Sequence, residues 1–439
     1  MSSIHQTEET LFFVLQQLVI IVIVARAAGS AARALGQPLV VGEIIAGLLL
    51  GPSLLGRLFP GAFEFVFHYE RAMMPMQVLS QLGLILLMFQ IGLEFDFSHL
   101  REQANRRAVI LVSFASILLP FTFGFAIARL SAPHLATNID HSLPAFSDKT
   151  DWFDYSLFIA TAFSITAIPI LGRIMGEFGL TRTRLGAVTI TSAAVNDVIG
   201  WILLALITEF NLAKIPGGEF VTRITLPAAY VAGCFFLLKP VLNYLLRTFK
   251  VTENHLPGGF MAILLAVVFA SAIATYKLGI FAIFGGFMIG VLLFRERTFV
   301  AAWQRQIGHF VAIFFLPIFF TYTGLRTNVN ALNTPALWGW CALFIGGATA
   351  GKFLGGYFAS RFAGMSHYES TCVGIMMNTR ALMELIILNV GYDLGVIPQD
   401  VFTMLVLMAI FSTIITAPLL RFWLPRMGHV IPSPSKAPA

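Results

Sequence analysis

Glu43, Asp197, Lys352, Arg380 and Glu384 all lie inside apolar runs, where an ionisable side chain needs a reason to be. Asp197 follows Asn196 in the run from Thr191 to Trp201, about midway between Arg184 and Glu209. A carboxylate at mid-bilayer depth costs about 2.5–3.5 kcal/mol, so this one must face a wet cavity, a cation or a salt-bridge partner. Desolvation favours the neutral acid and a nearby cation favours the ionised one, which suits a single Asp to hold a proton and a metal ion in turn. Lys352, between Gly351 and Gly355-Gly356, is too far from either end of its apolar run to reach water. It serves either as a charge of the same site or as a structural brace.

Hydroxyls form a second pattern. Thr161, Ser164 and Thr166 crowd together just before Pro169. Proline removes a backbone donor and disfavours helix at the residue before it, so the spacing predicts a helix break at Pro169. The break is either an ordinary kink backed by Ser and Thr, or an opening whose free carbonyls and hydroxyls face a polar site. Such oxygens suit a hard cation such as Na⁺ or K⁺. Asn378-Thr379-Arg380 falls in mid-run near the other end of the chain, with Glu384 four residues beyond Arg380. Arg380 and Glu384 pair along one helix face, or Arg380 neutralises the negative end of a half-helix. Glu43 faces the same pathway or a basic neighbour.

These residues need a membrane scaffold. Of the 439 residues, 57% are hydrophobic and 11% charged, and the mean hydropathy is +0.83. Several water-soluble domains would need about 25% charged residues. Apolar runs near 11–29, 37–55, 76–94, 107–130, 153–175, 184–208, 222–247, 257–277, 279–294, 308–325, 335–360, 369–391 and 401–424 predict thirteen spans. Most of the 28 Lys and Arg residues fall on one side of this arrangement, among them Arg106, Arg107, Arg182, Arg184, Arg247, Lys250, Arg295 and Arg297. The bias places the N-terminus outside and the C-terminus in the cytoplasm. The acidic loop around 131–152 then lies outside. Cys234, Cys341 and Cys372 are far apart and imply neither a disulfide framework nor a zinc site. The first ten residues contain no Lys or Arg, so the first run reads as a retained span rather than a cleaved signal. With no phosphate loop, dinucleotide fingerprint or HExxH motif, the chain is not expected to be an enzyme or to need a cofactor.

Thirteen spans divide as six, one and six, which makes the two sixes an inverted repeat if they are related. The run Val41–Leu50 matches Phe284–Leu293 in glycine and leucine register, and Gly92-Leu93-Glu94 matches Gly324-Leu325-Arg326. Glycines five apart also occur in tight helix packing alone, but two motifs in the same order favour duplication.

Four stretches resemble the monovalent cation:proton antiporter-2 family, especially its plant cation/H⁺ exchanger branch and bacterial relatives. They are Pro38 to Ser53, Ser164 to Pro169 with Leu171-Gly172-Arg173, Ala193 to Asp197, and Asn378 to Glu384. The resemblance implies two inverted repeats of six helices with two crossing discontinuous helices. It implies a homodimer built on spans 1–3 (1–106) and 8–10 (257–333), and a transport core of spans 4–6 (107–210) and 11–13 (334–425). The linker helix is 211–256 and the short cytoplasmic tail 426–439, with no nucleotide-binding regulatory domain. Asp197 matches the cation- and proton-binding aspartate, and Asn196 the position where electrogenic members often carry a second acid. Ser164 and Thr166 join them at the ion, and Lys352, Arg380, Glu384 and Glu43 are supporting charges. Arg380-Ala381 stands where related plant sequences often have Lys-Gly.

The implied activity is exchange of Na⁺ or K⁺ for H⁺ by alternating access in a cell membrane, serving pH homeostasis. It would be electroneutral, because the site has a single central acid. A cation channel and a cation-sensing membrane protein are the rival readings. The expected partners are these ions, the bilayer and a second copy of the chain, not nucleic acid.

Overall fold

The computed structural model describes residues 3–67, 70–94, 106–135, 152–166, 168–180, 183–212, 220–279, 281–380 and 382–431. The helices of the first half are α1 (Ser3–Ala34), α2 (Leu39–Leu50), α3 (Leu55–Leu58), α4 (Pro60–Phe67), α5 (Glu70–Glu94), α6 (Arg106–Leu135), α7 (Trp152–Ser164), α8 (Ile168–Glu177) and α9 (Arg184–Leu212). Those of the second half are α10 (Phe220–Gly233), α11 (Lys239–Thr248), α12 (Gly258–Lys277), α13 (Ala282–Leu293), α14 (Arg297–Trp303), α15 (Leu316–Arg326), α16 (Pro335–Phe362), α17 (His367–Met377), α18 (Leu382–Asp393) and α19 (Gln399–Trp423). Apart from one bridge between Thr252 and His255, the regular structure among the described residues is helical. The acidic loop expected near 131–152 falls mostly at 136–151, outside the described residues.

The chain is an all-α, multi-pass membrane protein. Among the described residues, eight helical segments are long and apolar enough to cross a bilayer unaided. The other expected spans are interrupted or atypical. α7 and α8 are two halves of one span, α13 has only 12 residues, and the segments Arg297–Gly308 and Val311–Ala331 meet at a 46° bend. α9 and α16 carry Asp197 and Lys352 in mid-helix. Two π turns, Cys234–Leu238 and Val311–Phe315, come just before Pro240 and Pro317. The wider turn gives each proline ring room beside the carbonyl it would otherwise strike.

The helices form two compact units. The first comprises Met1–Ala27, Ala46–Asp96 and Thr208–Leu325. Here the two repeated glycine motifs meet crosswise. Gly47 of α2 packs on α15, where a Cβ would lie 2.3 Å from the Phe320 carbonyl oxygen, and a Cβ on Gly324 would lie 2.1 Å from Gly47. Correspondingly, Gly290 of α13 packs on α5, 2.1 Å by the same measure from the Phe89 carbonyl oxygen, and Gly92 faces Gly290. Each half thus supplies one motif to the other, as a pseudo-twofold relation requires.

The second unit comprises Ala28–Ile45, Phe97–Ile207 and Arg326–Ala439. Residues 28–45, expected with the scaffold, cluster here instead. The Gln37 amide donates to the Ile414 carbonyl (3.2 Å), and Arg421 donates to the Gly36 carbonyl (3.0 Å). α16 starts at a Thr334 cap with Pro335 in the first turn, and α17 starts at a capping box of Ser366 and Glu369. Gly351 and Gly355 lay α16 directly on α6: a Cβ on either would come within 2.7 Å of Pro120 or 2.5 Å of the Ala115 carbonyl oxygen. That approach carries Lys352 into the middle of the unit.

Candidate functional site

Two helices of the second unit are broken, and the breaks meet. The first span stops at Ser164; Ile165 and Thr166 are non-helical, and α8 begins at Ile168. The break therefore precedes Pro169, which sits in the first turn of α8, where a missing N–H leaves no helical bond unmade. The second span stops at Met377; Thr379 and Arg380 are non-helical, and α18 begins at Leu382. The Thr166 hydroxyl lies 3.4 Å from the Met377 carbonyl, joining the two openings.

Arg380, wholly buried, ties them more firmly. Its guanidinium donates to the carbonyls of Ala162 (2.9 Å) and Phe163 (2.7 Å) in the last turn of α7, and to the Ala348 carbonyl of α16 (3.5 Å). It also pairs with Glu384 at 3.0 Å along its own span. The i,i+4 pair and the charge at the half-helix end are therefore one arrangement, with the cation at the negative end of α7. The Arg380 carbonyl accepts the Thr413 hydroxyl of α19.

Lys352 reaches the first break from α16. Its ammonium donates to the Ser164 carbonyl oxygen and to the Thr166 hydroxyl oxygen, the latter at 2.8 Å. Ser164 contributes its carbonyl, because its hydroxyl turns back to the Ala160 carbonyl (2.8 Å) and across to Ile117 (3.2 Å). Asp197, buried on α9, lies close enough for its charge to act on the Lys352 ammonium, as do the charges of Arg380 and Glu384. Two acids and two bases from α9, α16 and the second broken span thus share one enclosed site.

Asn196 does not turn toward this group. In the amide orientation that satisfies its neighbours, it donates to the carbonyls of Ser113 (3.0 Å) and Ser192 (3.2 Å) and accepts the Ser116 hydroxyl (2.8 Å). Both amide hydrogens and the oxygen are engaged with α6 and α9. Glu43 is buried on α2. Ser113, Ser116 and Thr413 had no place in the sequence reading, although the Ser113/Ser116 spacing puts both on one face of α6. Among the described residues no three His, Cys, Asp or Glu side chains converge to hold a metal ion. The oxygens at the breaks are carbonyls and hydroxyls, suited to an alkali cation.

Residues 19–424 match the family described as sodium/hydrogen exchanger, transmembrane. The Na⁺/H⁺ antiporter NhaS4 of Synechocystis is 39% identical over 425 residues, covering 96% of this chain and 99% of that protein. The chain belongs to the sodium/hydrogen exchanger family. Another relative, cation/H⁺ antiporter 17 of Arabidopsis thaliana, is 33% identical over 418 residues, and the match spans 94% of this exchanger-family chain but 48% of the plant protein. The solved structure of the sodium proton antiporter MjNhaP1 from Methanocaldococcus jannaschii superposes with a TM-score of 0.55 at 17% identity, covering 95% of this chain and 98% of that one. The likeness shows that the chain has the fold of that antiporter.

Proposed function

We propose that this chain exchanges Na⁺ or K⁺ for H⁺ by alternating access, one cation for one proton. The observation that carries the reading is the buried Lys352 ammonium on the opened carbonyl end of α7, with the buried Asp197 close enough for its charge to act on that ammonium. Asp197 bears one negative charge, which a proton or a monovalent cation neutralises but not both together. The Lys352 ammonium meanwhile holds the Ser164 carbonyl and Thr166 hydroxyl, so an arriving cation competes with it for the same oxygens. Arg380 stays on the end of α7 and keeps the two breaks together while the occupant changes. With Lys352 charged on both legs, the cation-loaded and proton-loaded sites carry the same net charge. The full-length likeness to a protein named as a Na⁺/H⁺ antiporter supports the same activity.

On this reading the second unit transports, the first holds a homodimer together, and the N-terminus faces outside a cell membrane with the C-terminus in the cytoplasm. The physiological role is cytoplasmic pH and cation homeostasis. Proteoliposomes with imposed pH and cation gradients, followed for both ions, test it. Obligate counter-movement of H⁺ with Na⁺ or K⁺ is expected. Cation flux without coupled H⁺ would make the protein a channel or uniporter, and cation binding without flux a sensor.

A further inference from the structure

Unit 2 contains a second recess, a cavity of about 270 Å³ between α16, α17 and α19. Phe353, Ile375, Ile415 and Leu419 line it, and the hydroxyls of its Thr371 and Thr416 turn back to the carbonyls of His367 and Ser412 in their own helices. Thr349 and Asn378 also line it, but the surface the wall presents to the cavity is almost all carbon. Its rim is different. Trp423 stands there with its ring 6.0 Å from that of His367, 6.1 Å from that of Tyr368 and 5.5 Å from the exposed guanidinium of Arg426. Tyr357 hydrogen-bonds His367 at 2.9 Å, and the one acid nearby in sequence, Glu369, accepts the Ser366 N–H. Leu419 and Phe422, on the same last turns of α19, are exposed.

We propose that this cavity binds one acyl chain of an anionic glycerophospholipid, with the phosphate beside Arg426 and His367. A carbon-lined space rejects an alkali ion, a sugar or a nucleotide, each of which would lose its hydrogen bonds there. It is also too small for a helix of a second copy, which is about 10–12 Å across. Water does not fill an apolar cavity, whereas a chain restores the dispersion contacts that its walls lack. Tryptophan, tyrosine and arginine at the mouth are the side chains that settle at a lipid headgroup boundary. Asn378, another lining residue, ends α17 next to Thr379 and Arg380, so a bound chain braces the helix that ends at the second break.

The test uses the full chain reconstituted with phosphatidylglycerol carrying a diazirine in one acyl chain, or with phosphatidylcholine carrying the same chain, and maps cross-links by mass spectrometry. Phosphatidylglycerol should label Ile375 and Ile415 over phosphatidylcholine by about fivefold, the factor one cationic side chain contributes at an anionic headgroup. Arg426→Gln, a change at an exposed position, should abolish that preference while leaving the labelling. Leu419→Trp, which narrows the mouth, should remove labelling at Ile375 and Ile415 but not at the exposed Phe236. Equal labelling by the two lipids in the unaltered protein overturns the proposal whatever the variants do. So does competition by soluble glycerol phosphate without a chain, or labelling confined to outward-facing residues.

Discussion

A cation arriving at the first break meets oxygens already in use. Lys352 holds the Ser164 carbonyl and the Thr166 hydroxyl, and Asp197 lies within range of the same ammonium. Replacing Asp197 with Asn keeps the shape and removes the titrating group. We expect Asp197→Asn to abolish cation-coupled proton movement while the purified protein retains its elution profile and melting temperature; exchange surviving in vesicles of that variant would move the site elsewhere. Lys352→Ala leaves the freed carbonyl without its donor and removes a cation on which the Asp197 charge acts. Its melting temperature should fall by several degrees more than that of Lys277→Ala, a change at an exposed position. Equal melting temperatures would show that Lys352 neither braces the break nor offsets the buried charge of Asp197. The presence of Asp197, Lys352 and Arg380 at membrane depth was legible in the sequence, because charge in an apolar run stands out. Glu384 was legible as the i,i+4 partner of Arg380, and a half-helix end as its alternative; the particular carbonyls that Lys352 and Arg380 bind were not, since every residue has one. The hydrogen bonds of Asn196 were likewise not legible, since Ser113 and Ser116 of α6 come from 80 or more residues away in the chain, while Ser192 is the preceding turn of its own helix.

At the scale of elements, two breaks are held by one guanidinium. Removing it leaves Glu384 buried without its partner and the α7 carbonyls without a donor. Loss of one member of a buried pair costs about 3–5 kcal/mol. Arg380→Met should therefore be strongly destabilised in thermal unfolding, and Glu384→Gln in the same chain should recover part of the loss; a melting temperature unchanged by Arg380→Met would show that the breaks hold without it. The packing of α16 on α6 makes a separate prediction. A leucine at Gly351 has no room against Pro120, so Gly351→Leu should lower both stability and transport, whereas Gly346→Leu, where nothing lies within 4 Å of an added Cβ, should alter neither appreciably. The multi-pass helical architecture was legible from apolar run length, with eight helices among the described residues long and apolar enough to cross a bilayer unaided, and the first break from Thr161, Ser164, Thr166 and Pro169. Its position was three residues off because proline tolerates the first turn of a helix and so marks the start of the second half rather than the gap itself. The short helices α3 and α4 and the placing of residues 28–45 with the second unit depend on tertiary contacts that periodicity does not encode.

For the whole molecule, one charge balance decides how the membrane potential acts. If Asp197 alone exchanges proton for cation and Lys352 keeps its charge, no net charge crosses per cycle. Transport of Na⁺ in vesicles clamped at several valinomycin–potassium potentials should then proceed at nearly one rate. A steep dependence on voltage, or a reversal potential requiring more than one proton per cation, would mean that Lys352 or a second acid gives up a proton during the cycle.

The crosswise glycine contacts of the first unit also bear on how the chain is made. Gly47 finds its partner at Gly324, so at a synthesis rate of about 5–20 residues per second α2 is in place for roughly 15–55 s before α15 emerges. Within a bilayer a helix satisfies its own backbone, so α2 waits without exposing unpaired amides, and its narrow stripe merely touches lipid meanwhile. The first half is thus inserted long before it is assembled, and release of the ribosome before the tenth span would leave a product with spans in the membrane but no closed scaffold. Quality control that recognises unfilled glycine stripes, rather than exposed polar groups, is what such a nascent chain would have to satisfy.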